Sequence, residues 1–390
     1  MIDQTKRILS DLIAFPTVSA DSNLDMIAYL ANHLENCGAQ VDILPDESGQ
    51  KANLFATFGP MREGGIVLSG HCDVVPVTDQ EWNTDPFKLI ERDGLLFGRG
   101  TCDMKGFLAA VLATAPLFAE HAHARPLHVA LTYDEETGCI GAGHLVHTLK
   151  ERSIKPSFAI IGEPTSMQII DGHKGCCEYS TYFQGLEGHG SAPDLGLNAI
   201  EFAAKFVMRL LELRDELITK APLNSPFDPP WTTLNIGALN GGHVHNVIPS
   251  KARVDWEMRP VQASDVDFVK EALAAVCDGI LLPQMRTSFP DAMIATEVIG
   301  EVAGLMPTRS NEAFEVVSRL TGANSAQVVS FGTEAGLFQS LDMDVVVCGP
   351  GSIEQAHKAN EFVAIDQLVQ CLKLLQGLAV QLSETENWKR

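Results

Sequence analysis

The chain predicts an α/β protein with a mixed, largely parallel sheet, interrupted by an inserted ferredoxin-like α+β domain. Three observations carry this. Short, almost continuously apolar runs alternate with helix-like stretches over the first 176 residues. A separate βαββαβ succession occupies 177–300. A run of the first kind returns near the C-terminus. Strands covered on both faces read as unbroken apolar runs, whereas strands with one wet face alternate.

The apolar runs are GIVLSG (Gly65–Gly70), LHVALTY (Leu127–Tyr133), FAIIG (Phe158–Gly162) and DVVVCG (Asp344–Gly349). Helix-like stretches at Met104–Phe118 and Gly141–Lys150 separate the first three, the alternation expected of parallel strands. From about Cys177 the order becomes strand EYSTYFQG, helix Asn198–Leu217, strands TTLNIGALNG and KARVDWEMRP, helix Val266–Cys277 and a last strand MIATEVIG from Met293. That is the split βαβ order of a ferredoxin-like sandwich. The Pro-rich APLNSPFDPPW (Ala221–Trp231) reads as a loop within it. The expected division is a catalytic domain of 1–176 and 301–390 around an insert of 177–300.

The 28 basic residues against 50 acidic ones leave a net charge of −22, a field that repels nucleic acid and anionic membrane surfaces. The N-terminus lacks the pattern of a secretory signal, and the longest membrane candidate, Phe107–Ala119, falls well short of the roughly 20 residues of a span. Nine cysteines with no C-x-x-C pair read as reduced thiols. A soluble, cytoplasmic protein is expected. Cys72, Cys102 and Cys139 read as small buried hydrophobes.

Chemistry-bearing residues gather where these strands end. After GIVLSG come His71 and Asp73; after LHVALTY come Asp134, Glu135 and Glu136; after FAIIG comes Glu163; after DVVVCG comes GPGSIEQAH with His357. Asp103, in GRGTCDMKG, sits at the start of the Met104 helix, where alone it would read as an N-cap. In open α/β sheets, ligands bind outside the carboxyl ends of the strands. Five segments with His, Asp or Glu at matching places therefore point to a metal site, which would also relieve the repulsion among three consecutive carboxylates. Asp134 itself reads as a solvated turn residue. His121 and His123 read as loop residues in EHAHARP, His144 and His147 lie on a helix face without an acidic partner at ligand spacing, and His243 and His245 flank Asn246, where a turn role is expected ahead of a substrate contact; neither H-E-x-x-H nor G-x-S-x-G occurs.

Taken together, HCDVVP, GRGTCDMKG, DEETG, IGEPT, GHGSAP and GPGSIEQAH resemble the signature blocks of the dinuclear zinc aminoacylase/carboxypeptidase family (peptidase family M20). The resemblance runs in order along nearly the whole chain, insert included. It implies that Asp103 bridges two metals, one also bound by His71 and Glu163, the other by Glu136 and His357. The donor set suits two Zn2+, with Co2+ or Mn2+ as substitutes. It further implies Glu135 as general base and then acid, and Asp73 as the residue orienting His71. His189 would stabilise the oxyanion from the insert of a second subunit in a homodimer. The family more often reads GHSSAP, so Gly190 is a departure.

Asn246 and Arg259 are the insert residues assigned to a substrate α-carboxylate, Gly332 and Thr333 to the opposite wall, and Glu334 to a substrate ammonium. The insert is expected to swing closed to complete the site. The implied reaction removes a small acyl group from the α-nitrogen of an amino acid, with N-acetylornithine as the first substrate. An N-succinyl-diaminopimelate desuccinylase or a broad N-acyl-amino-acid deacylase is the alternative, and a non-catalytic metal or amino-acid binding protein a remote one. Glu163 is implied as the acyl-substrate variant where related aminopeptidases tend to carry Asp.

Overall fold

The computed structural model describes residues 1–383. The chain forms two compact units. The first comprises Met1–Gly172, Leu305–Val328 and Thr333 onward; the second comprises His173–Gly304 with Val329–Gly332.

The first unit is built on an eight-stranded sheet in the order Gln40–Pro45, Ala52–Phe58, Leu127–Thr132, Ile66–His71, Phe158–Pro164, Asp344–Gly349, Ile170–His173, Gln327–Val329. Its centre is parallel: Leu127–Thr132 and Phe158–Pro164 flank Ile66–His71, and Asp344–Gly349 lies beside Phe158–Pro164. Gln40–Pro45 and Ala52–Phe58 add antiparallel strands at one flank. The sheet is thus mixed with a parallel heart. The three central strands, Ile66–His71, Leu127–Thr132 and Phe158–Pro164, are buried throughout, which is why they read as unbroken apolar runs.

Ala52–Phe58 is equally buried but escapes a hydrophobicity reading. Its Ala, Asn and Thr residues dilute the signal, and the buried Asn53 donates from Nδ2 to the Gly141 carbonyl at 2.8 Å.

Helices cover the sheet. Lys105–His121 is buried along most of its length and shares one core with Leu68, Val129, Ile160 and Val346. A Cβ on Gly162 would lie 2.1 Å from the Phe107 ring, so only glycine lets this helix reach the strand just ahead of Glu163. Helices Lys105–His121 and Ile140–Glu151 form the crossovers between successive parallel strands. Because the central strands all run one way, their carboxyl ends share one edge of the sheet.

The second unit contains a four-stranded antiparallel sheet in the order Thr233–Gly241, Lys251–Arg259, Cys176–Gln184, Met293–Val302. With helices Ala199–Thr219 and Ala263–Val276 between strands, this is the ferredoxin-like arrangement. Alternate residues Cys177, Tyr179 and Phe183 face a core shared with Phe206, Leu210, Val254, Trp256 and Val269. Asn198 caps the first helix, its Oδ1 accepting the Ile200 N–H at 3.0 Å. No helix among the described residues is long and apolar enough to cross a membrane.

Candidate metal centre

Each parallel strand delivers its residue at or just past its carboxyl end. His71 closes Ile66–His71; Glu135 and Glu136 follow Leu127–Thr132 after a turn in which Asp134 adopts φ 53°; Glu163 lies in Phe158–Pro164; His357, at φ 62°, follows Asp344–Gly349. Asp103 enters from the loop before Lys105–His121. It does not cap that helix, which has no side-chain cap. Its oxygens are engaged elsewhere: Oδ1 lies 2.9 Å from His71 Nε2 and Oδ2 lies 3.2 Å from His357 Nε2. His357 Nε2 is also 2.9 Å from Glu136 Oε2, and His71 Nε2 is 3.6 Å from Glu163 Oε1. One carboxylate thus offers an oxygen to each of two imidazole-carboxylate pairs, the arrangement expected of a bridging ligand. The ligand atoms of His71, Asp103 and Glu136 lie within 4.8 Å of one another, as do those of His71, Glu135 and Glu163. Glu135 therefore stands on the Glu163 side, adjacent to the cluster.

The electrostatics of this cluster favour a cation. Burial raises Glu135 against the pull of His71, and the charges of Glu136, Asp103 and Asp73 lift it further, to about 8. Burial and then Asp103 push Glu136 up to about 7, and the same two causes raise Glu163. Burial opposes charge on His71, yet Asp103 and the nearby Asp73 carboxylate leave its pKa raised. Hydrogen bonds to Asp103 and Glu136 lift His357 to about 10. Burial alone would raise Asp103, but the two imidazoles hold it well below the ordinary carboxylate range. Glu163 Oε1 is buried with no hydrogen-bond partner, an orphan of the kind that native structures satisfy with an ion or water. A nitrogen and oxygen donor set, a shared carboxylate and an orphaned carboxylate oxygen fit divalent cations.

The surrounding residues differ from expectation at Asp73, Asp134 and Glu334. His71 Nδ1 bonds the backbone carbonyl of Asp73 at 2.9 Å, while the Asp73 carboxylate is 3.6 Å away. That carboxylate instead accepts the backbone N–H groups of Glu135 (3.1 Å) and Glu136 (3.3 Å) and the Ser19 hydroxyl (2.7 Å). Its side chain holds the two glutamates while staying 3.6 Å from the histidine, which its main chain bonds directly. Asp134 is not a solvated turn residue: it is buried and accepts Lys51 Nζ on both oxygens at 2.6 Å. Lys51 also donates to the Ser19 carbonyl. A local pattern could not reveal this pair, because its partners are 83 residues apart. The Cys139 thiol lies 3.3 Å from Glu135 Oε1.

Glu334, expected beside a substrate ammonium, is fully buried. Ser69 Oγ donates to its Oε1 at 2.5 Å and Thr132 Oγ1 to its Oε2 at 2.8 Å, so it ties two strands together and has no oxygen free of a partner. Thr333 is buried beside it, accepting the Ala335 N–H at 3.1 Å.

In the second unit, His189 lies on the short strand Gly188–His189 paired with Val247–Ile248. Its Nδ1 is 2.7 Å from Ser191 Oγ. Gly190 N–H donates to the Asn246 carbonyl at 2.8 Å, and a Cβ there would come within 3.1 Å of that oxygen. Glycine at this position thus permits close approach of the Asn246 backbone. Arg259 pairs with Glu257 through Nη2 (2.7 Å) and Nε (3.1 Å). Gly332 packs toward Cys176. Of the other histidines, His147 does have an acidic neighbour, Glu151 at 3.2 Å, but both are mostly exposed.

Comparison with known proteins agrees with this geometry. The family description "Peptidase family M20/M25/M40" matches residues 67–381. The chain is 36% identical over 382 residues to the acetylornithine deacetylase of Pasteurella multocida, covering 96% of this chain and 97% of that one. It is 37% identical over 364 residues to the acetylornithine deacetylase of Proteus mirabilis, covering 90% of each. Among solved structures it shares the fold of the M20 family metallo-carboxypeptidase Sso-CP2 of Sulfolobus solfataricus (TM-score 0.76, 18% identity, 98% of this chain and 99% of that one). It also shares the fold of a dinuclear metal binding M20 peptidase of Bacillus subtilis (TM-score 0.63, 17% identity, 98% and 99%).

Proposed function

We propose that this chain, which belongs to peptidase family M20/M25/M40, is a metal-dependent amidohydrolase that converts N2-acetyl-L-ornithine to L-ornithine and acetate, a step of arginine biosynthesis. The observation that carries the chemistry is Asp103 placed between His71 and His357, with the half-buried Glu135 alongside. The substrate rests on relatives named acetylornithine deacetylase that align over nine tenths of both chains.

Asp103, His71 and Glu163 would hold one Zn2+, and Asp103, Glu136 and His357 the other. The chemistry such ions supply is polarisation of a carbonyl and acidification of water toward a pKa of about 7. Glu135 takes the proton from the attacking water as the new C–O bond forms, and returns it to the amide nitrogen as the C–N bond breaks. Burial and the neighbouring carboxylates raise its proton affinity before the ions bind, and the positive charge of bound ions would return it to the carboxylate form that accepts the proton. Asp73 fixes Glu135 and Glu136 by their backbone N–H groups, so that the base and its ligand neighbour diverge.

Asn246 and Arg259 are assigned to the substrate α-carboxylate. Arg259 would exchange the Glu257 carboxylate for that of the substrate, using the same planar fork. Gly332 and Thr333 are assigned to the facing wall. His189, from the insert of a second copy in a homodimer, is assigned to the developing oxyanion. Nine unpaired cysteines suit a reducing compartment such as the cytoplasm.

The test is kcat/KM for N-acetylornithine, N-succinyl-diaminopimelate and N-acetylmethionine on one zinc-loaded preparation, with Glu135→Gln as control. Acetylornithine leading by about tenfold, a difference of roughly 1.4 kcal/mol in the barrier, with the mutant at least about 100-fold slower, supports the reading. Leadership by the succinyl substrate, or equal rates on all three, replaces it with a desuccinylase or a broad deacylase. Absence of hydrolysis of all three refutes it.

A further inference from the structure

Glu361 has no role in the chemistry above, yet it is 1% exposed and lies four residues beyond His357. Its carboxylate is saturated by donors from one loop. Oε1 accepts the backbone N–H groups of Cys102 at 2.8 Å and Asp103 at 3.0 Å; Oε2 accepts the Gly100 N–H at 3.0 Å and Arg99 Nη1 at 2.7 Å. Backbone N–H groups converging on one point form a nest for an anion. Here the anion is built into the chain, and one of the groups it grips is the main-chain N–H of Asp103.

Arg99, also 1% exposed, carries the contact onward to the His357 segment. Nη1 reaches the Lys358 carbonyl at 3.2 Å, and Nη2 reaches Gln80 Oε1 at 2.6 Å. Gln80 Nε2 in turn donates to the His357 carbonyl at 2.8 Å. The Gly98 N–H donates to the Glu361 carbonyl at 3.0 Å, just before Leu95–Phe97 pairs with Phe362–Ala364. Two irregular loops, each carrying one candidate ligand, are thereby joined by a continuous set of hydrogen bonds. Neither His71 nor Glu163, both borne on the sheet, is touched by this set.

We propose that Glu361, Arg99 and Gln80 form a positioning clamp that sets the distance between Asp103 and His357 and hence the affinity of the metal position those two residues share with Glu136. The proposal rests on the metallohydrolase reading. The physical reason is that metal ligands perform only when held within about 0.5 Å of their geometry. The sheet does this for His71 and Glu163, whereas loops need another restraint. A carboxylate is required at 361 because all four partners are donors; an amide could accept them at one atom only.

The experiment is a Zn2+ titration of the metal-free protein, by competition with a chromophoric chelator, for wild type, Glu361→Gln, Glu361→Asp and Gln80→Ala, together with kcat and KM on N-acetylornithine. Wild type should take two ions per chain. In Glu361→Gln and Gln80→Ala the position that includes His357 should weaken about 10–100-fold, the usual cost of losing a residue that supports a ligand, and the other, which shares only Asp103 with the clamp, should weaken by clearly less. kcat should fall with KM held, and Glu361→Asp should lie closer to wild type than Glu361→Gln. Unchanged affinity at both positions, an equal loss at both, or a lowered Tm without altered affinity overturns the clamp. If Glu361→Gln does not fold, Gln80→Ala, a substitution in a partly exposed loop, decides alone. Wild type that binds no Zn2+ at all refutes the metallohydrolase reading itself, a result distinct from the others.

Discussion

Replacing Lys51 by Met isolates the question of why a third carboxylate stands beside Glu135 and Glu136. Lys51 Nζ lies 2.6 Å from both Asp134 oxygens, with the two side chains only 17% and 12% exposed. Removing one partner of a buried pair costs about 3–5 kcal/mol, and the residual exposure argues for the lower end, about 3 kcal/mol. At about 2–4 °C per kcal/mol for a unit of this size, Tm should fall by about 6–12 °C.

The loss should also depend on pH. Burial already lifts Asp134 above its ordinary value against the pull of Lys51; without Lys51 the lift is greater. A carboxyl raised in the folded state binds more protons there than in the unfolded chain, so folding is favoured at acid pH and the advantage fades as pH rises through the folded value. The mutant should therefore be closest to wild type near pH 4–5 and furthest from it at pH 8. Thermal unfolding across that range, with Asp134→Asn and the double mutant completing the cycle, measures this. A deficit below about 0.5 kcal/mol, a deficit that does not change with pH, or a double mutant no better than Lys51→Met refutes the reasoning.

Adding Zn2+ to metal-free protein at pH 7 in weak buffer should release protons, because His357 is lifted to about 10 and Glu135 to about 8 before the ion arrives; calorimetry in buffers of different ionisation enthalpy counts them, and none released contradicts the assignment. Apparent affinity should rise with pH for the same reason. Gly162→Ala should destabilise by about 1–3 kcal/mol, since its Cβ would lie 2.1 Å from the Phe107 ring, and Phe107→Leu in the same chain should recover part of the loss in Tm. Arg259→Met should raise KM for acetylornithine about 10–100-fold, the worth of a charged hydrogen bond of about 1.5–3 kcal/mol, with a smaller effect on kcat; an unchanged KM removes Arg259 from the carboxylate.

What the amino-acid order determined by itself is the set of elements and the residue types at their ends. GIVLSG, LHVALTY and FAIIG are legible as strands because burial on both faces demands unbroken apolar side chains. The alternation in EYSTYFQ and KARVDWEMR equally encodes one buried face. His71, Glu135, Glu136, Glu163 and His357 could be picked out because parallel strands bring their carboxyl ends to one edge whatever their separation along the chain. Only the tertiary structure decided how charge and hydrogen bonds are distributed there. Asp103 looks locally like a helix cap, but its oxygens face two imidazoles; Asp134 looks like a surface turn, but Lys51 buries it; Glu334 looks like a binding residue, but Ser69 and Thr132 occupy it. Periodicity is a property of neighbours in the chain, and sequence carries it. The satisfaction of a buried charge depends on partners 83, 202 or 258 residues away, and only the folded chain brings those partners together.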